Sequence, residues 1–109
     1  MAPRVHTHKA LLEVLKTAKP KLCKAILHHS DKSLVFALCE ICDNLLEGNI
    51  PLTPTQKTKL KKYRTHFRRL AHKGEGWQVK KKYLTQKGGA FLPLLLSAVA
   101  SVLPMLFKQ

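Results

Sequence analysis

Between positions 53 and 89 the chain carries twelve Lys or Arg residues and a single acidic one, Glu75. A segment with this net charge cannot be buried, and its self-repulsion opposes compaction unless its cations stay on a solvated face or meet an anionic partner. The same stretch contains Leu60, Tyr63, Phe67 and Leu70 at three-to-four spacing, so a helix can turn these four inward and leave the cations outside. Its start is written in Thr53-Pro54-Thr55-Gln56. The Thr53 hydroxyl can accept from the Gln56 backbone N–H, the Gln56 amide can reach back, and Pro54 suits the first helical position. The spacing predicts one helix from there to about His72, ended by Gly74, and a shorter basic helix over Trp77 to Gln86.

The flanks differ sharply. Residues 1–52 hold seven basic and five acidic side chains, and residues 90–109 hold Lys108 as their one charge. Three regions follow: a helical N-terminal region 1–52, a basic helical region 53–89 and an apolar tail 90–109, each change coinciding with Pro or Gly. In the first region, Thr7 is a candidate cap for a helix through Ala18, with Leu11, Leu12 and Leu15 on one face. Pro20 opens a second helix with Leu22, Cys23, Ile26 and Leu27 as its stripe. Ser30 as cap and Asp31 as acidic first turn open a third, whose Leu34, Val35, Leu38, Ile41, Cys42, Leu45 and Leu46 recur with helical period up to Gly48. No segment alternates as a strand does. The expected fold is all-α, a small bundle of about four short helices with a basic helix and an apolar C-terminal helix after Gly88-Gly89.

The three cysteines, Cys23, Cys39 and Cys42, cannot all pair within the chain. Met1 to Lys9 leads into an amphipathic pattern and not into a signal peptide's apolar run, so synthesis in the cytosol with reduced thiols is expected. Cys39-Glu40-Ile41-Cys42 has the spacing of a zinc half-site, but it lies inside an apolar helix with no second ligand pair. We read these cysteines as packed hydrophobes and expect no metal or other cofactor. None has the surroundings of a catalytic nucleophile, and no enzyme is expected.

Dense cations suit nucleic acid, because each neutralised phosphate releases condensed counterions without reading sequence. The candidate nucleic-acid-binding residues are Lys57, Lys59, Lys61, Lys62, Arg64, Arg68, Arg69 and Lys73, followed by Lys80, Lys81 and Lys82. Double-stranded DNA bound nonspecifically is the expected partner, with an anionic membrane surface as the alternative. A third reading is a helical protein-interaction domain whose basic face docks an acidic partner. Tyr63, Phe67 and Trp77 are candidates for stacking on bases, although Tyr63 and Phe67 also continue the apolar stripe. Gly88 and Gly89 read either as a hinge or as a site threaded by a protease. In the tail, Phe91, Leu92, Leu94, Leu95, Leu96, Val99, Val102, Leu103, Leu106 and Phe107 suit a membrane interface or the protein's own core. Pro93 and Pro104 interrupt the tail too closely for a stable transmembrane anchor.

The order of these parts, Leu52-Thr53-Pro54-Thr55-Gln56-Lys57, a lysine run, Gln86-Lys87-Gly88-Gly89 and Phe91-Leu92-Pro93-Leu94-Leu95-Leu96, resembles small basic proteins of adenovirus-like elements. These are the Polinton or Maverick transposons, adintoviruses and adomaviruses, whose proteins are compared with the adenovirus core protein X. The resemblance implies a core or virion component on double-stranded DNA, found in the virion or host nucleus among capsid proteins. It also implies processing at Gly88-Gly89 by an adenain-like protease, with Gln86 standing where such sites usually carry an aliphatic residue. Phe91-Leu92-Pro93 and Pro104-Met105-Leu106-Phe107-Lys108 are similar in spacing to the brevinin membrane-active peptides, which implies a membrane-active tail.

Overall fold

The computed structural model describes the backbone of residues 8–107, with side chains described for all of these except 9, 16, 88–90, 99, 100 and 102–107. Six helices follow one another among the described residues: α1 (Lys9–Thr17), α2 (Pro20–His28), α3 (Lys32–Leu46), α4 (Pro54–Lys62), α5 (Arg64–Ala71) and α6 (Trp77–Phe107). No strand occurs among them, and the all-α expectation holds.

Local chemistry sets most boundaries. Thr7, the expected cap of α1, lies outside the described residues; His8 is the residue before the helix, and its ring pairs with Ser33 Oγ at 2.8 Å. The cap of α3 is Asp31 and not Ser30: Asp31 accepts the Leu34 N–H at 2.9 Å, while the Ser30 hydroxyl donates back to the Leu27 carbonyl at 2.6 Å. At its other end Gly48 takes φ +78°, a conformation open to glycine at little cost. Its N–H reaches Leu45 O and the Asn49 N–H reaches Asn44 O, a Schellman ending that satisfies two orphan carbonyls. The Thr53 capping box forms with both of its hydrogen bonds.

Helix α3 is the centre of the molecule. Eight of its residues are buried, from Leu34 to Leu45, with α5 and α6 packed against it. Helix α6 also packs on α1 and α2. All three composition regions therefore feed one core: Leu12, Leu15 and Leu27 from the first, Phe67, Leu70 and Leu84 from the second, Phe91, Leu94, Leu95 and Ala98 from the third. The radius of gyration is 12.6 Å, close to the roughly 13 Å of a compact chain this long.

Two expectations about helix continuity are corrected. The basic helix is not single: at Tyr63, with φ −106° and ψ 15°, the carbonyl accepts the His66 N–H at 3.0 Å, and this tightened turn divides α4 from α5. Phe67 and Leu70 of α5 are fully buried, whereas α4 buries no residue completely. Conversely, Gly88-Gly89 does not break the chain, because α6 runs through it and through Pro93. Each helical glycine costs about 1 kcal/mol relative to Ala, while burying Phe91, Leu94 and Leu95 beyond the pair recovers about 1.5–3 kcal/mol per side chain. Pro93 adds a local reason for glycine nearby. Its ring faces the carbonyl of the residue four positions earlier, Gly89, which also loses its helical donor.

Candidate nucleic-acid interface

The basic surface rests on an aromatic cluster. His66 stacks on Phe91 with ring centroids 4.7 Å apart, Phe67 meets Phe91 edge-on at 5.6 Å, and the Tyr83 hydroxyl shares a hydrogen bond with His66 Nδ1. These contacts fix α5 to α6, so the cations on α5 are displayed from a packed scaffold. Phe67 is therefore a core residue and has no face to offer a base. Tyr63 and Trp77 are half-buried against the same core.

On the outer side of α4 and α5, Lys57, Lys59, Lys61, Lys62, Arg64 and Arg68 are all exposed, as is Lys73 beyond them. Lys57 and Lys61 lie one turn apart on α4, and Arg64 and Arg68 one turn apart on α5, each pair separated by about 6 Å along the helix. Lysine supplies point charges and arginine a planar fork, both suited to phosphate oxygens.

Of the remaining candidates, Lys80, Lys81 and Arg69 behave differently from the sequence reading. Lys80 is only 4% exposed. It lies on the same stripe of α6 as Leu84, Phe91 and Leu95, and its ammonium sits 5.9 Å from the Phe36 ring. It lines a cleft of about 440 Å³ with Cys39, Glu40, Asp43, Lys73 and Glu75. With its side chain buried, Lys80 leaves the set available to a polyanion. Lys81 is half-buried and donates to the Ser30 carbonyl at 2.9 Å, tying α6 to the start of α3. Lys82 is exposed as expected. Arg69 is committed within the protein: Nε lies 3.3 Å from Glu75 Oε1, Nη2 donates to Oε2 at 3.4 Å, and the guanidinium stands 4.4 Å over the Tyr83 ring. Its partner Glu75 is six residues away and beyond the helix end, so no helical pairing rule brings them together.

Of the two readings of the tail, membrane interface or the protein's own core, the described side chains follow the second. Phe91, Leu94 and Leu95 are buried, and Leu92 and Leu96 pack half-buried against the core. An apolar face with a core to cover is already satisfied. The side chains of Val99, Val102, Leu103, Leu106 and Phe107 lie outside the described residues. No helix is long and apolar enough to cross a membrane among the described residues. Gly88 and Gly89 sit inside α6, so a protease would meet them as helix and not as extended chain.

All three cysteines are buried thiols. Cys23 directs its Sγ at the carbonyls of Leu15 and Ala18, and burial raises its pKa above the ordinary value. Burial likewise pushes the Cys42 thiol well up, with Cys39 one turn away adding to the effect. Such thiols are poor nucleophiles and poor metal ligands. Among the described residues no group of three or more His, Cys, Asp or Glu side chains is placed to hold a metal ion.

Fold and surface together define a small all-α protein with a cationic face on two consecutive helices. Comparison with protein-family models, curated proteins and solved structures returns no match.

Proposed function

We propose that this chain is a nonenzymatic protein that binds duplex nucleic acid without sequence preference through α4 and α5, as a core or virion component of an adenovirus-like element would. The observation that carries this reading is the exposed array from Lys57 to Arg68, displayed by a capped α4 and by an α5 held to the core through the buried Phe67 and Leu70. A net charge of +14 gives long-range attraction to the phosphate backbone. Contacts from such an array to phosphates alone position without specifying.

Fluorescence anisotropy with two unrelated duplexes between 50 and 200 mM KCl tests it. Equal affinities are expected, with log K against log salt falling at a slope steeper than about −3.6, the value for four phosphate contacts. Replacing Lys57, Lys61, Arg64 and Arg68 together by Gln should flatten that slope while leaving the fold intact. Absence of affinity at low salt, or binding to anionic vesicles alone, overturns the reading.

A further inference from the structure

Glu75 is the one carboxylate in a stretch of twelve cations, and it grips Arg69 with both oxygens. That side-on, two-bond arrangement is the one a guanidinium also forms with two phosphate oxygens. The Tyr83 ring beneath fixes the plane of the fork, and the Arg69 side chain stays 48% exposed, so its outer side is reachable. Glu75 belongs to no helix. It lies in the short turn between α5 and α6, where Gly74 passes so close to the His72 ring that an added Cβ would meet it at 2.5 Å, and where the Gly74 N–H donates to His72 Nδ1. The pair is solvent-accessible, and such pairs are held by only about 0.2–1 kcal/mol. A polyanion arriving on neighbouring Arg68 and Lys73 brings phosphates to the same place at high local concentration.

We propose that Arg69 is a phosphodiester subsite of the cationic face which Glu75 occupies in the unbound protein, so that a backbone phosphate displaces the Glu75 carboxylate on binding. This rests on the nucleic-acid reading above. Glu75 then acts as an internal competitor that weakens binding at this one position.

Duplex affinity at 100 mM KCl decides it, using the full chain, Glu75→Gln, Glu47→Gln and Arg69→Gln, alone and with Glu75→Gln, each checked by circular dichroism. Glu47 is exposed beyond the end of α3, and its neutralisation reports the effect of one unit of net charge. Glu75→Gln should tighten binding about two- to fivefold beyond Glu47→Gln. That surplus should vanish when Arg69→Gln is added, whereas Arg69→Gln alone should change affinity less than about twofold, because the competitor already masks it. Equal behaviour of the two acidic variants, or a surplus that survives loss of Arg69, overturns the proposal while the nucleic-acid reading stands. No binding by any of the proteins overturns both.

Discussion

Among single residues, Lys80 separates charge that folds the protein from charge that is displayed. Its side chain follows the buried stripe of α6, and its ammonium reaches a cleft shared with Glu40, Asp43 and Glu75. Removing such a cation empties a buried position on the α6 stripe and leaves the half-buried carboxylates of the cleft with less compensation, which costs stability and not phosphate contacts. Lys80→Ala should therefore lower unfolding stability by about 1–3 kcal/mol in urea titrations, yet leave the salt slope of DNA binding unchanged. Lys61→Ala, on an exposed side chain, should do the reverse. Sequence alone put both lysines in one cationic set. The register of α6 could have told them apart, since Lys80 falls four positions before Leu84 and eleven before Phe91, but that inference needs the helix to continue past Gly88-Gly89.

At the scale of elements, α4 is the helix with least tertiary support. It buries no residue completely, and its outward side chains are mutually repelling lysines. Its stability leans on the capping box, where the Thr53 hydroxyl and the Gln56 side chain satisfy backbone N–H groups that would otherwise lack partners. Thr53→Ala should cost about 1 kcal/mol, with the loss appearing as faster amide exchange confined to α4. Uniform acceleration across α3 and α5 would show instead that α4 is bound into the core's cooperative unit. The cap was legible in four consecutive residues because capping is local. The division at Tyr63 was not, since nothing in the periodicity of Leu60, Tyr63, Phe67 and Leu70 marks a tightened turn.

For the whole molecule, the decisive feature is that the apolar end of α6 completes the core. Phe91 alone meets His66, Phe67 and Tyr83, and Phe→Ala at such sites costs about 3–5 kcal/mol. A chain ending at Gly89 should consequently lose cooperative thermal unfolding, with the near-ultraviolet signal of Trp77 and the tyrosines collapsing while much helical signal remains. A truncated chain that melts as sharply as the full one would show that residues 90–109 are separable from the core. The expectation would then return to a membrane-facing tail.

The sequence by itself determined what depends on neighbours along the chain: the all-α class from apolar periodicity, the start of α4 from its capping box, the end of α3 from Gly48, and the cationic character of residues 53–89. Only the tertiary structure decided what depends on which face meets which. It carried α6 through two glycines and Pro93, because burial of the residues beyond them outweighs the local cost. It drew Lys80 inward on an α6 that continues past the glycines, and it anchored Lys81 to Ser30 and set Glu75 on Arg69, two pairings that no local spacing relates. Charge is readable from composition, whereas its availability to a partner depends on packing, which brings together groups far apart in the chain.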